Sequence, residues 1–283
     1  MTAGMEFCLL GPLTVRRDGD AVPIPPGKQR VLLAALLLDA GRVISLDELA
    51  ETMWGPAPPR SARVTVQNYV KRLRGALGDA GHSRIATQPG GYVIRVGPGE
   101  LDVSRFEARL ASARVAAGAG WWDLAAREAR AALSLWRGEP LADMDSDALT
   151  RRETPRLAEM RLQALELRID ADLHLGRHAE VIAELRWLTG AHPLREHLHA
   201  QLMLALYRDD RPGEALAAYR QARRLLVDEL GIEPGARLRE LHQRMLAADP
   251  ALAAPRPRPA VTDGLMVPGA GPSELWVLVA VPR

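Results

Sequence analysis

The sequence has a single cysteine, Cys8, so no disulfide can form within the chain, and a reducing cytoplasm is the expected compartment. Aromatic residues make up only 4% of the 283 residues. That scarcity argues against readers of single-stranded RNA, which stack bases on aromatic platforms. Lysine is nearly missing: Lys28 and Lys71 are the only two among 37 basic residues, and the rest are arginine. No apolar run reaches the roughly 18 residues a membrane span needs, and the start does not resemble a secretion signal. The apolar stretch Leu275–Val281 is far too short.

Catalytic and metal-binding patterns are missing as well. No Gly-x-Ser-x-Gly elbow occurs. Gly27-Lys28-Gln29 hints at a phosphate loop, but Val22 stands where the first glycine is required and Gln29 where a Ser or Thr is required. His192, His197 and His199 lack the spacing of a zinc pair and have no cysteine nearby. Asp143, Asp145 and Asp147 are followed by Ala148 where a calcium loop needs glycine, and the closing glutamate is absent. The expectation is a protein that is not an enzyme and holds no cofactor or metal.

What is present is a chain of 47% hydrophobic and 25% charged residues, rich in Ala, Leu and Arg, which favours buried helices. Three regions separate by composition. Region 1–97 mixes short strands with helices. Phe7–Leu10, Thr14–Arg17 and Ala21–Ile24 read as strands, and Gln29–Asp39 as an apolar helix. Ser45-Leu-Asp-Glu48 is a capping box that starts a helix ending at Trp54-Gly55. Pro56, Pro58 and Pro59 form a stiff connector to a longer helix, Arg60–Leu77. Arg84–Gln88 and Tyr92–Val96 flank Pro89-Gly90-Gly91 and read as a hairpin.

Region 98–250 is almost wholly helical. Gly176-Arg-His-Ala-Glu-Val-Ile-Ala-Glu-Leu aligns with Asp210-Arg-Pro-Gly-Glu-Ala-Leu-Ala-Ala-Tyr, and Glu180 to Glu214 is the 34-residue period of tetratricopeptide repeats. A weaker copy starts at Trp122. Trp121, Trp122, Trp136 and Trp187 fit packing roles between helices. Region 251–283 is rich in Pro, Gly and Ala, and Pro255-Arg-Pro-Arg-Pro reads as an extended, flexible linker. Ser273–Val281 could add a stray strand.

The net charge of +2 says little, but its distribution says more. From Arg60 to Arg74 stand Arg60, Arg63, Lys71, Arg72 and Arg74 with no acid among them. At about 100° per residue, Val66, Tyr69, Val70, Leu73 and Leu77 share one face. Thr65, Asn68, Lys71 and Arg72 then point away, with Gln67 and Arg74 at the edges. A helix that offers only donors and cations suits a polyanion, and the DNA major groove admits one helix. Arg pairs bidentately with guanine, and Asn or Gln with adenine. Arg63 and Arg74 at the edges can neutralise phosphates. A capped helix, a connector, a basic helix and a hairpin follow the order of a winged helix-turn-helix, whose wing would bring Gln88 and Tyr92 to the DNA.

Here the sequence resembles a known family. Residues 5–96 resemble the OmpR-type winged-helix DNA-binding domain through Leu46-Asp-Glu-Leu, Met53-Trp-Gly, Val70-Lys-Arg-Leu-Arg-Gly-Ala-Leu and Gly91-Tyr92. Residues 98–250 resemble the bacterial transcriptional activator domain through Leu135-Trp-Arg-Gly-Glu-Pro-Leu, His192-Pro-Leu-Arg-Glu, Ala215-Leu-Ala-Ala-Tyr and Asp228-Glu-Leu-Gly-Ile-Glu-Pro-Gly. Together they resemble the SARP family, antibiotic regulatory proteins of actinomycetes. The resemblance implies a mainly helical fold with a small β component: an N-terminal winged helix-turn-helix followed by a tetratricopeptide-like domain. It implies an activator of biosynthetic gene clusters that binds direct repeats near promoters as a homodimer and contacts RNA polymerase and its sigma factor, with no membrane involved. The family's DNA-contacting positions fall on Thr65, Asn68, Lys71, Arg72 and Arg74, on Trp54 for a backbone contact and on Tyr92 in the wing. Related wings often carry Arg where this chain has Gln88. Larger members add an ATPase module, so this chain resembles the small form or an N-terminal fragment. The competing reading is a repeat-based adaptor whose basic face merely meets water.

Overall fold

The computed structural model describes residues 4–253. The expected tail therefore lies outside the described residues beyond Ala253, including the linker and the strand expected at Ser273–Val281.

The chain opens with an antiparallel sheet of β1 (Met5–Cys8), β2 (Thr14–Arg17) and β3 (Asp20–Ala21), paired in that order. Strand β1 stops short of the expected Leu10 because the Leu9 and Leu10 N–H groups turn to the Asp102 carboxylate instead of a neighbouring strand. Strand β3 does not run on to Ile24, since Pro23 has no N–H to give a ladder. Helix α1 (Lys28–Leu38) follows, and every residue from Val31 to Leu37 in it is buried. It is the centre of the N-terminal core.

A two-residue strand, β4 (Ile44–Ser45), leads into α2 (Leu46–Trp54). Ser45 caps that helix, its hydroxyl accepting the Glu48 N–H at 3.1 Å. Only half of the expected capping box forms, because the Glu48 carboxylate pairs with Arg42 at 2.7 Å. Helix α3 spans Ala62–Ala76, starting two residues after the expected Arg60 because Pro59, Arg60 and Ser61 make a turn closed by the Ala62 N–H on the Pro59 carbonyl. Strands β5 (Ile85–Gln88) and β6 (Gly91–Ile94) form the hairpin, and β6 lies between β4 and β5. Gly91 admits no side chain: a Cβ there would sit 1.9 Å from the Ile44 carbonyl oxygen across the β4–β6 pairing.

Seven α-helices follow, α4 (Asp102–Gly118), α5 (Trp122–Leu133), α6 (Asp147–His174), α7 (His178–Ala191), α8 (Glu196–Arg208), α9 (Pro212–Leu230) and α10 (Ala236–Leu246), and a 3-10 turn at Pro250–Leu252 buries Leu252 at the end of the described residues. Helices α7 and α9 begin 34 residues apart, at His178 and Pro212, which is the period the sequence carries. Trp136 and Trp122 are half-buried as expected, but Trp121 and Trp187 are 63% and 68% exposed and are not packing residues.

The N-terminal core does not end at residue 97. Phe7, Leu9, Leu33 and Leu36 share one buried cluster with Leu101, Phe106, Leu141, Leu149 and Leu157. Helix α6, 28 residues long, runs from that cluster into the second, where Leu162, Ile169 and Leu173 meet α7 and α8. Polar contacts reinforce the junction. Asp102 accepts from Leu9 at 2.8 Å and Leu10 at 2.9 Å. Arg137 donates its backbone N–H to Leu10 at 2.7 Å and its guanidinium to Pro12 at 3.0 Å. Arg30 pairs with Asp143, and the Ser146 hydroxyl donates to the Thr52 carbonyl. The base that carries α3 is thus packed against the helical region as one body.

Candidate nucleic-acid interface

Helix α3 packs as its periodicity requires. Val66, Val70, Leu73 and Leu77 are at most 4% exposed, and Tyr69 is half-buried against the same core. The other side faces solvent. Gln67, Asn68, Lys71 and Arg72 are all exposed and form a continuous strip about a turn and a half long. Among the described residues neither Lys71 nor Arg72 makes an ion pair, so both charges face outward. The Arg72 guanidinium lies 5.8 Å from the Tyr69 ring centroid, which steers it along the helix surface. Val64, 60% exposed, extends the strip toward the N-terminus with an apolar group that the sequence reading left out.

The remaining expected contacts divide. Thr65 is half-buried, and its hydroxyl donates to the Ser61 carbonyl at 3.0 Å, so its methyl is the freer part. Arg63 is exposed but forms a two-point pair with Asp47 of α2, at 2.9 and 2.7 Å. The acid-free helix of the sequence therefore has an acid beside its first turn in space. Solvent screens this exposed pair, so a phosphate can compete for Arg63. Trp54 ends α2 and is half-buried against the core. Gln88 is half-buried beside the Pro89-Gly90 turn. Tyr92 is only 8% exposed and pairs across the sheet with Ile44 and Thr87, so its ring is part of the wing's packing. Arg74 is half-buried and hydrogen-bonded to the wing at Ile85 and Thr87.

One residue that shapes this surface has no motif to announce it. Asp79 follows α3 and is buried. Its carboxylate accepts the N–H groups of Ser83 at 2.8 Å, Arg84 at 3.0 Å and Ile85 at 2.8 Å, and the Ser83 hydroxyl at 3.2 Å. Burial works against the charge, but the Arg84, Ile85 and Ser83 donors outweigh it and hold the carboxyl below its usual range. Asp79 thereby sets where the wing leaves the helix. Asp102 is the opposite case. Burial pushes its carboxyl above the usual range despite the Leu10 and Leu9 donors and nearby Arg137.

The arrangement presents a donor-rich, cationic helix face beside a short hairpin. Among the described residues no group of His, Cys, Asp and Glu could hold a metal, and no helix is long and apolar enough to cross a membrane.

Known proteins carry the same two parts. Residues 24–94 match the family described as transcriptional regulatory protein, C terminal, and residues 101–246 match the bacterial transcriptional activator domain. The chain is 47% identical over 254 residues to the regulatory protein AfsR of Streptomyces coelicolor, covering 89% of this chain but 25% of that protein. It spans 27% of the AfsR of Streptomyces griseus. It is 41% identical over 257 residues to the regulatory protein DnrI of Streptomyces peucetius, covering 88% of this chain and 94% of DnrI. Among solved structures, Mycobacterium tuberculosis EmbR in complex with a low affinity phosphopeptide superposes with a TM-score of 0.84 at 38% identity, covering 88% of this chain and 66% of EmbR.

Proposed function

The chain belongs to the SARP family of transcriptional regulators, and from that premise we propose that it is a sequence-specific DNA-binding activator of a secondary-metabolite (antibiotic) gene cluster. The observation that carries the proposal is the exposed strip of Gln67, Asn68, Lys71 and Arg72, free of internal ion pairs among the described residues and backed by a buried apolar face. In this reading α3 lies in the major groove, Asn68 and Arg72 meet base edges, and Lys71 meets a base or a phosphate. Arg63 exchanges Asp47 for a phosphate, and Gln88 approaches the backbone from the wing. Residues 1–97 read DNA, while 98–250 pair two copies on promoter direct repeats and recruit RNA polymerase with its sigma factor, in the cytoplasm at the nucleoid. The kinship with the regulatory protein DnrI of Streptomyces peucetius, which the chain covers almost end to end, supports a regulatory role.

An electrophoretic shift with duplexes selected from a randomised library tests the reading. The selected duplex is retained and its scrambled counterpart is not, and retention weakens steeply with salt. Equal affinity for both duplexes would overturn sequence-specific recognition and leave the repeat-based adaptor.

A further inference from the structure

We propose that Arg74 is a positioning residue that fixes the wing against the recognition helix, its guanidinium directed at the hairpin and not at a DNA phosphate. The inference rests on the DNA-binding reading above. Arg74 sits on α3 one turn after Lys71, yet it is half-buried where Lys71 is exposed. Its Nε and Nη2 both donate to the Ile85 carbonyl, at 2.9 and 2.7 Å, and Nη2 also donates to the Thr87 hydroxyl at 2.9 Å. A guanidinium has five N–H groups in a planar fork, so most of its donors are engaged along β5. The same guanidinium lies 5.7 Å from the Tyr92 ring centroid and covers the buried ring of β6. One side chain thus spans both strands of the wing.

The hairpin gives such a strut something to hold. Its strands are four residues each; β6 is anchored by the Ile44–Tyr92 and Ser45–Gly91 pairs, by the Gly41 N–H on the Ile94 carbonyl at 2.9 Å and by burial of Tyr92 and Ile94, whereas β5 is the edge strand of the sheet. Asp79 fixes the root of β5, and Arg74 fixes its middle at Ile85 and Thr87. With Asp79 in place, loss of Arg74 leaves a folded hairpin whose tilt toward α3 is no longer set. A lysine would keep the charge but could not fork between a carbonyl and a hydroxyl. A phosphate contact, by contrast, would survive the change to lysine.

The test uses the full chain, a selected duplex, and Arg74→Lys, Arg74→Gln and Gln88→Ala, all well below their unfolding midpoints. Both Arg74 variants lose roughly 10-fold in affinity, the lysine variant faring no better than the glutamine variant. The slope of affinity against salt matches that of the unaltered protein, since no phosphate contact has gone. Arg74→Gln combined with Gln88→Ala costs less than the sum of the two, because both act through the wing. In the free protein, amides of β5 and β6 exchange faster in Arg74→Gln while those of α3 do not. Full affinity in Arg74→Lys, or a salt slope shallower by about 0.9 in Arg74→Gln, would overturn the proposal in favour of a phosphate contact. Should the unaltered protein bind no DNA, the DNA-binding reading fails by itself, and unchanged wing exchange in Arg74→Gln would separately overturn the strut.

Discussion

Removing the Asp102 carboxylate should unfasten the whole chain and not one half of it. Asp102 lies 2% exposed at the start of α4, where its charge also favours the helix N-terminus. It accepts the Leu9 and Leu10 N–H groups at 2.8 and 2.9 Å. In Asp102→Ala both N–H groups lose their acceptor in the core, and an orphaned buried donor costs about 1–3 kcal/mol. Relief of burying a carboxylate offsets part of this, leaving a net loss of about 1–4 kcal/mol. For a chain of this size each kcal/mol moves the midpoint by about 2–4 °C, so the expected fall is about 2–16 °C. The penalty also depends on pH. Burial holds the Asp102 carboxyl above its unfolded range, so the native state takes up a proton more readily than the unfolded chain. That stabilising contribution is complete below the unfolded pKa and is lost as pH rises through the folded one. The deficit of Asp102→Ala is therefore larger at acidic pH. Thermal melts followed by far-UV circular dichroism and by hydrogen exchange of α1 and α8 amides should move together, because α6 belongs to both buried clusters, through Leu157 and Ala164 to the one that holds α1 and through Leu162, Ile169 and Leu173 to the one that holds α8. A midpoint within about 1 °C of the unaltered protein, or a melt in which α1 opens while α8 keeps its protection, would refute the reasoning.

Other consequences follow from single contacts. Gly91→Ala places a methyl 1.9 Å from the Ile44 carbonyl, so β4 and β6 must separate; loss of exchange protection at Ser45 and Tyr92 checks it. Asp79→Asn weakens the helix–wing turn by about 2 kcal/mol at neutral pH. Because the folded carboxyl lies below its usual range, its stabilising contribution is present above the unfolded pKa and fades as pH falls through the folded one; urea midpoints of the two proteins should converge in strong acid. Arg72→Ala lowers affinity for a selected duplex by about 1–3 kcal/mol and relaxes preference at one base pair, read by binding to single-base variants. Arg63→Ala lowers affinity by a similar factor on every duplex, because a phosphate contact carries no sequence information.

Much of the fold was legible because it is local. Ser45 with Glu48 announced α2, the stripe from Val66 to Leu77 announced the buried face of α3, and Pro89-Gly90 announced the hairpin. The 34-residue spacing from His178 to Pro212 announced the stacked pairs. What was not legible lies between distant residues. Periodicity says that Arg74 sits at the edge of an exposed face, but not that Ile85 and Thr87 wait there to accept from it. Nothing near Arg63 in sequence is acidic, and its partner Asp47 is brought over by the angle between α2 and α3. Asp102 looks like an ordinary helix-start acid; its partners are 93 and 92 residues away. The strand expected to reach Leu10 ended early for the same reason.

The central claim is that the outward strip of α3 reads DNA. The most direct measurement is the affinity of the full chain, and of Asn68→Ala combined with Arg72→Ala, for a selected duplex and its scrambled counterpart over a series of salt concentrations. The account predicts a strong preference for the selected duplex and a steep fall with salt. In the double variant the preference is lost, while far-UV circular dichroism and residual binding to scrambled DNA are unchanged. A double variant that still prefers the selected duplex as strongly as the unaltered protein would contradict it.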